Sequence, residues 1–242
     1  MDFLINLFTA FKLGFNKWLE TLHNTFIVSD RYMILIQGFQ KTLLITLGAL
    51  LIGVVIGTIV AIIKVFAVQN KKLKILDVLC NIYLTVIRGT PVVVQLLISF
   101  FIIFVSAKDG TWVAMITFGV NSGAYVAETI RSGIMAIDNG QMEAGRSLGF
   151  SNLQTMWLII LPQAFKNILP AIGNEMIALL KETSVAGYVA VVELTKAGNQ
   201  IKNTTYDQIN PILLVAVVYL VMVVGLTKLL SIFERRLRKN ER

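Results

Sequence analysis

Residues 42–63 read TLLITLGALLIGVVIGTIVAII, a stretch with no charged side chain. A helix of about 20 apolar residues can cross the hydrocarbon core of a membrane, because each residue adds about 1.5 Å. Of the 242 residues in the chain, 56% are hydrophobic and 15% are charged, whereas soluble domains carry about 25% charged residues. The mean hydropathy is +0.74. The sequence therefore predicts an all-α integral membrane protein.

Four further segments are long and apolar enough to be considered as spans: 91–107, 111–137, 168–192 and 210–227. Two of them also carry charges: segment 111–137 contains Glu128 and Arg131, and segment 168–192 contains Glu175 and the pair Lys181 and Glu182. We predict five membrane-spanning helices in total.

Residues 88–91 read RGTP and stand just before the second span. Pro91 can begin a helix without losing a needed hydrogen bond, so we expect the span to be broken or bent there. Gly48, Gly53 and Gly57 leave one face of the first span small enough for another helix to approach closely.

Lys and Arg residues divide unevenly between the two sides of such a bundle. With alternating spans, twelve lie on the side of 64–74, 131–166 and 235–242, and seven lie on the other side. Cytoplasmic connections are the richer in Lys and Arg. We therefore predict that the basic tail, 236–242, is cytoplasmic and that the N-terminus is outside.

Residues 1–30 form a segment with apolar side chains at spacings of three and four: Phe3, Leu4, Leu7, Phe8, Phe11, Phe15, Trp18, Leu19 and Leu22. This pattern is typical of an amphipathic helix that lies in the membrane interface. It lacks the features of a cleaved signal peptide, so we expect it to be retained. Residues 31–235 then form the membrane domain.

The connection 138–162 reads DNGQMEAGRSLGFSNLQTMWLIILP. Its length and composition predict short helices, with Gly149 at a sharp corner between them. Ala144 and Gly145 would offer a small-residue face, and Leu148 and Phe150 apolar knobs, to a groove in another protein. An amphipathic segment resting on the membrane is an equally good interpretation of the pattern alone.

Three parts of this connection, EAG at 143–145, LG at 148–149 and LP at 161–162, resemble the EAA loop of binding-protein-dependent ABC importer permeases. Four further motifs resemble the polar amino-acid branch of that family: RGTP at 88–91, AYVAETIR at 124–131, LKETS at 180–184 and VELT at 192–195. The resemblance covers about residues 35–235.

The resemblance implies a type I importer permease in a bacterial cell membrane. It pairs with a second copy or a paralogue, with two cytoplasmic ATPase subunits and with an external amino-acid-binding protein. The residues that couple to the ATPases are then Glu143, Ala144, Gly145, Leu148, Gly149 and Phe150. The chain has no GxxxxGK[ST] phosphate loop, so ATP and Mg²⁺ would belong to the ATPase subunits, and we expect no cofactor and no enzyme activity in this chain.

Ionisable residues inside spans are costly and are candidates for a transport pathway. These candidates are Glu128, Glu175, Lys181, Glu182, Thr183 and Ser184. The alternatives are structural: Glu128 could pair with Arg131, Glu175 could serve helix pairing, and the helix could unwind at 181–184. We assign Arg88, Pro91 and Arg131 to structural or gating roles, with Arg88 capping backbone carbonyls or meeting a lipid phosphate.

Two other classes of protein remain open at this point. A secondary transporter driven by an ion gradient would use Glu128 and Glu175 as carriers. A membrane-embedded enzyme would need a nucleophile with its base, or a metal set, and a single Cys80 and a single His23 provide neither. The net charge of +8 lies between apolar runs, which indicates membrane topology and contact with lipid rather than nucleic-acid binding.

Overall fold

The computed structural model describes residues 2–67 and 71–238, and all regular structure in these ranges is helical. The helices are α1 (Asp2–Leu22), α2 (Tyr32–Ala67), α3 (Lys74–Gly89), α4 (Val92–Ile98), α5 (Gly110–Met135), α6 (Asn139–Ser147), α7 (Asn152–Thr155), α8 (Leu161–Glu182), α9 (Leu194–Thr205) and α10 (Asn210–Arg238). Three shorter helical turns extend α4 and α8: Ser99–Ile103 after α4, Met156–Ile160 before α8 and Thr183–Val189 after α8. The all-α prediction is confirmed.

Three stretches are long and apolar enough to cross a membrane: Tyr32–Ala67, Asn152–Val189 and Asn210–Leu237. The pair α3 and α4 forms a fourth, with a bend of 106° between them. The predicted break is therefore present, and α4 begins one residue after Pro91. Most spans are longer than predicted, because each helix continues into residues that flank its apolar run.

Helix α5 is less apolar than these spans because protein, not lipid, covers much of it. Val113, Ala114, Phe118, Ala124 and Val126 are fully buried. A helix shielded in this way does not need an apolar surface on every side. It occupies the position of segment 111–137 but is not apolar enough to count as a span by length and composition, so the described residues show up to four candidate spans against the five predicted.

Helices α2 and α5 run parallel along a seam of glycines. The contacts, in order along both helices, are Gly48 with Met115, Gly53 with Ser122 and Gly57 with Val126. Gly119 and Gly123 of α5 receive Ile52 and Ile56 of α2 in return. A Cβ atom added at Gly57 would lie 2.6 Å from Val126 Cγ1, so the two backbones approach closely only because these positions lack side chains.

Helix α8 runs antiparallel to α5, since Gly133 packs against Ile168 while Ser122 lies near Glu175. Helix α10 returns alongside α8, with Leu230 against Gly173. The bundle therefore has two distinct ends. One holds Lys64, Asp77 and the connection 138–162, and we call it the loop end. The other holds α9 and the start of α10, and we call it the α9 end.

The α9 end contains a separate apolar cluster formed by Phe26, Leu35, Leu194, Ala197, Ile201 and Val215. Helix α1 joins it through a hydrogen bond from Trp18 Nε1 to Asn210 Oδ1, 3.2 Å long. Phe11, Phe15 and Trp18 form an exposed row of neighbouring rings on α1. The predicted interfacial segment is thus helical from Asp2 to Leu22, and residues 23–30 connect it to α2.

Parts of two predicted features lie outside the described residues. The side chains of Phe3, Leu4, Leu7 and Phe8 in the apolar stripe of residues 1–30 are among these. So are residues 239–242 of the basic tail, whereas α10 includes residues 236–238.

Candidate functional site

The connection 138–162 begins with a capped helix. Asp138 is the N-cap of α6, and its Oδ1 accepts a 2.6 Å hydrogen bond from the amide of Gly140. At the other end, Gly149 has a φ of +88°. The amide of Gly149 donates to the carbonyl of Arg146, and the amide of Phe150 to that of Gly145. These two bonds end the helix at Gly149, whose left-handed backbone conformation favours glycine. The predicted corner is confirmed.

The second helix of the connection, α7, is also capped, and it is bonded to α6 across the corner. Ser151 and Gln154 form a reciprocal capping box at the start of α7. Arg146 Nη1 donates a 2.6 Å hydrogen bond to Asn152 Oδ1 across the corner. A Cβ atom on Gly145 would lie 2.5 Å from Thr155 Cγ2, so the two helices touch at this glycine. The connection is therefore a preformed helix-turn-helix.

This helix-turn-helix exposes an apolar surface, which we call the loop surface. Leu148 is 76% exposed, Leu153 53% and Phe150 37%, and Glu143 and Ala144 are exposed beside them. Gly145 does not belong to this surface, because it is buried against Thr155. The expected small-residue face thus consists of Ala144 alone, and Gly145 serves the packing of the two helices on each other.

Helix α7 continues through Met156–Ile160 directly into α8. The stretch from Asn152 to Val189 is one apolar span. A displacement of the loop surface would therefore be transmitted along α8, because no flexible connection separates the two.

Among the ionisable residues inside spans, Glu128 and Arg131 form an ion pair on α5. Arg131 donates from Nη2 and Nε to Glu128 Oε2, at 2.7 and 3.0 Å. The two side chains are 25% and 33% exposed. Their spacing of three residues places them on one helix face. The pairing expected from the sequence is therefore present.

The break between α3 and α4 is held by a residue that the sequence analysis did not single out. Gln95 Nε2 donates to the carbonyl of Ile87 at 2.7 Å and to that of Thr90 at 3.0 Å. Its Oε1 accepts from Asn121 Nδ2 of α5 at 3.1 Å. Gln95 therefore satisfies carbonyls that the helix end leaves without intrahelical partners. A lone glutamine four residues after Pro91 in an apolar run was the available signal.

Arg88 makes a structural contact that the sequence did not predict. Its guanidinium carbon lies 5.4 Å from the centre of the Tyr125 ring, a cation–π contact with α5. Carbonyl capping at the break falls to Gln95 instead, because the Gln95 amide follows the turn and reaches back to Ile87 and Thr90.

The remaining pathway candidates lie on the second half of α8 and in the turn that follows it. Glu175 and Glu182 are seven residues apart, which places them on one face, and both are partly buried. The Glu175 carboxylate interacts electrostatically with Ser122 on α5, whose buried hydroxyl has no partner at full hydrogen-bonding geometry within the described residues. Glu182 is repelled by Glu175 and attracted by Lys181.

Residues 181–184 do not share one environment. Lys181 is exposed, Thr183 is buried and Ser184 is intermediate. The α-helix ends at Glu182 and tightens into the turn Thr183–Val189, where Thr183 Oγ1 donates to the carbonyl of Leu180 at 2.8 Å. The chain changes its helix type here without unwinding.

Glu193, from the VELT motif, holds the α9 end together. It is fully buried and caps α9, accepting from the amides of Thr195 and Lys196, each at 2.7 Å. Tyr219 on α10 donates to it as well, at 3.3 Å. Burial raises the pKa of this carboxyl, and these hydrogen bonds partly oppose the rise. Its position explains the motif as a structural joint.

The bundle is all-helical, with a broken second span and an exposed apolar helix-turn-helix at one end. This architecture is the one expected of a membrane transport subunit. Residues 53–239 match the family described as the binding-protein-dependent transport system inner membrane component. The chain belongs to this family. It is a multi-pass inner-membrane permease rather than an enzyme.

Two relatives illustrate the match. The chain is 36% identical to a putative glutamine transport system permease protein of Rickettsia typhi, over 87% of this chain and 95% of the relative. It is 34% identical to the arginine transport system permease protein of Bacillus subtilis, over 86% and 94%. The sequence-based assignment to amino-acid ABC importer permeases is confirmed.

Solved structures agree with the fold. The crystal structure of an amino acid ABC transporter with histidines superposes with a TM-score of 0.79 at 40% identity, covering 87% of this chain and 98% of that chain. An inward-facing MetNI methionine ABC transporter superposes with a TM-score of 0.73 at 21% identity, covering 85% and 97%, which supports the fold alone.

Proposed function

We propose that this permease imports polar amino acids, driven by ATP hydrolysis on two cytoplasmic ATPase subunits that dock on the loop surface. The observation that carries the coupling part is the preformed helix-turn-helix, which exposes Leu148 and Phe150. The helix-turn-helix is ordered before docking by its helix caps, by the hydrogen bond from Arg146 to Asn152 and by the packing of Gly145 on Thr155. Docking would therefore cost little conformational entropy. An exposed apolar helix face of this kind fits a groove in a protein.

The continuity of α7 with α8 suggests how the two ends communicate. Nucleotide-driven movement of the ATPases would displace the loop surface, and the joined helix would carry that displacement to Glu175 and Glu182. Binding protein loaded with substrate would act at the α9 end. The two partners thus bias a single equilibrium between inward- and outward-facing packings.

The substrate class is inferred from the relatives, whose names specify glutamine, arginine and L-cystine. The second half of α8 carries Glu175, Lys181 and Glu182, and the turn after it carries Ser184. Together they supply polar groups on a membrane-spanning element, which a zwitterionic substrate needs. We place the pathway along this part of α8, between the chain and a second permease copy or paralogue. Thr183 faces into the bundle and would act through packing.

The Glu128–Arg131 pair argues against Glu128 as a carrier in the ion-driven alternative. A carrier carboxylate must exchange its proton during transport, whereas Glu128 already accepts two hydrogen bonds from a guanidinium. Charge-assisted pairs of this kind stabilise the ionised carboxylate.

The test is affinity purification of the full chain from its native membrane in mild detergent, with mass spectrometry of bound subunits and ATP hydrolysis on the eluate. Wild-type chain should retain an ATPase subunit in near-stoichiometric amount. Glu143→Lys should reduce that retention about tenfold or more, because it reverses a charge on the docking surface. Glu20→Lys, the same exchange at an exposed α1 position, is the matched control and should retain the ATPase.

Amino-acid uptake into vesicles completes the test. ATP-dependent uptake that requires an added binding protein supports the proposal. Uptake by the chain alone without ATP, together with purification free of any ATPase, would establish the ion-driven class instead. Equal ATPase retention by Glu143→Lys and wild type would remove the loop surface from the coupling role.

A further inference from the structure

A cleft of about 560 Å³ opens at the loop end of the bundle. One wall comes from the end of α2 and the start of α3, and the other comes from the end of α5 and the connection 138–162. Lys64, on the first wall, directly follows the apolar stretch 42–63. The cleft therefore lies at the depth where hydrocarbon gives way to lipid headgroups.

The cleft carries charges of both signs: Lys64 and Arg131, with Asp77 and Asp138. Lys64 Nζ donates to Asp77 Oδ1 at 3.1 Å and to Asn81 Oδ1 at 2.6 Å, and an ammonium group has three donors. One donor of Lys64 thus remains for a ligand.

Arg131 also has an N–H donor, on the side that faces the cleft, that lacks a strong acceptor. Its Nε and Nη2 donate to Glu128, whereas its Nη1 donates to the sulfur of Met135, at 2.8 Å. A thioether is a weak acceptor. A phosphate oxygen would be a much stronger partner for this donor, because both groups would be charged.

The rest of the lining is largely apolar, with Ile134, Ile137, Met142, Met156 and Ile160 among its residues. A free polar amino acid has too little hydrocarbon to cover such a wall. A phospholipid has, and methionine side chains adapt readily to a flexible acyl chain.

We propose that this cleft binds one phospholipid with a primary-ammonium zwitterionic headgroup, as in phosphatidylethanolamine. The phosphate contacts Lys64 and Arg131, the ammonium points toward Asp77 or Asp138, and part of an acyl chain lies along the isoleucine and methionine wall. The two carboxylates disfavour a purely anionic headgroup. A trimethylammonium headgroup has no N–H to donate to them, so it binds more weakly.

The position of the site gives it a consequence for coupling, which rests on the proposed function. The lipid would touch Met142 and Asp138 of the connection and Lys64 of α2 at once. It would therefore hold the loop surface to the rigid α2–α5 seam and limit its displacement.

The test measures lipid binding to the full-length permease, purified with whatever subunits remain bound and then depleted of lipid. Dioleoyl phosphatidylethanolamine, phosphatidylcholine and phosphatidylglycerol are added separately, and native mass spectrometry counts the lipids retained. We expect one phosphatidylethanolamine per permease chain. Half-saturation for the other two lipids should need about tenfold more lipid, since each loses one charge-assisted contact.

Two variants change the site by different means. Lys64→Met removes one of the two phosphate contacts, and Met142→Trp fills the apolar wall without altering a charge. Each should weaken phosphatidylethanolamine retention about tenfold. Lys74→Met removes an equal charge from an exposed position of α3 that does not line the cleft, and should retain the lipid within about twofold.

Unchanged retention by both Lys64→Met and Met142→Trp would overturn the proposal. So would equal affinity for the three lipids, or saturation by soluble phosphoethanolamine at the same concentration as by the lipid. The readout does not require ATPase binding or transport. Failure of the lipid site and failure of the proposed importer function are therefore distinguishable.

Discussion

Asp207 joins three segments of the α9 end through hydrogen bonds to one carboxylate. Its oxygens accept from Thr25 Oγ1 at 2.8 Å, from Asn210 Nδ2 at 2.7 Å and from the amides of Ile209 and Asn210. Burial alone would raise the pKa of Asp207, but these hydrogen bonds outweigh it and hold the pKa below its usual value. The ionised form is thus the one that the fold stabilises.

The depressed pKa predicts a definite pH dependence. Asp207 contributes stability above its unfolded pKa of about 3.9, and the contribution is lost as the pH falls through the folded value. Asp207→Asn should lower the free energy of unfolding by about 1 kcal/mol at pH 7, a small loss because the site is partly exposed. Thermal unfolding of the purified chain in detergent measures this, at neutral pH and at a pH about one unit or more below the unfolded pKa.

The difference between Asp207→Asn and wild type should shrink at the lower pH. Asp30→Asn, at an exposed position of the same end, serves as the control and should change little. A loss for Asp207→Asn that stays constant across the pH range would show that its ionisation is not involved.

At the scale of elements, the α2–α5 seam depends on residues without side chains. Gly57→Ala would place a Cβ atom 2.6 Å from Val126 Cγ1 and 2.9 Å from the backbone nitrogen of Ala127. Because backbone cannot yield as a side chain tip can, we expect a loss of about 1–3 kcal/mol. Gly225→Ala on α10 is the matched control, since a Cβ atom there meets nothing within 4 Å.

The measurement for this pair is the unfolding midpoint of each purified variant in the same detergent. Gly57→Ala should unfold at a lower temperature than wild type, and Gly225→Ala should not. Equal midpoints for the two variants would mean that the seam relaxes freely and does not position α5.

The break between α3 and α4 gives a second prediction for an element. Gln95→Leu removes the donor to the carbonyls of Ile87 and Thr90, which should cost about 0.5–1.5 kcal/mol because these bonds are only partly buried or exposed. Asn121→Leu removes the donor that Gln95 accepts from. A double-mutant cycle in thermal unfolding should give less than the sum of the two single losses. Strict additivity would show that the two side chains do not act as one network.

At the scale of the whole molecule, the two ends should face opposite sides of the membrane, with the loop end in the cytoplasm. In a Cys80→Ser background, which removes the chain's single, buried cysteine, Gln208→Cys lies at the α9 end and Gln141→Cys at the loop end. Both positions are exposed. An impermeant maleimide should label Gln208→Cys in cells with an intact inner membrane and Gln141→Cys only after permeabilisation. The reverse pattern would invert the predicted orientation.

The sequence by itself determined the class of the molecule. The apolar run at 42–63 and the similar segments must be helical, because in lipid a single chain segment can satisfy all its backbone hydrogen bonds only as a helix. Pro91 marked the broken span, Gly149 marked the corner of the connection, and the spacing of Glu128 and Arg131 made their pairing possible. Each of these signals is local, because residues close in the sequence produce it.

Contacts between distant residues were decided only by the tertiary structure. The sequence showed small residues at 144 and 145, but only the packing of α7 on α6 buried Gly145 and left Ala144 exposed. Gln95 became a cap because α3 ends beside it, and Arg88 was instead placed over Tyr125. The cleft has walls from four separate helices, so no short pattern could reveal it. The physical reason is that side-chain environment depends on which helices meet, whereas helix formation depends mainly on neighbours along the chain.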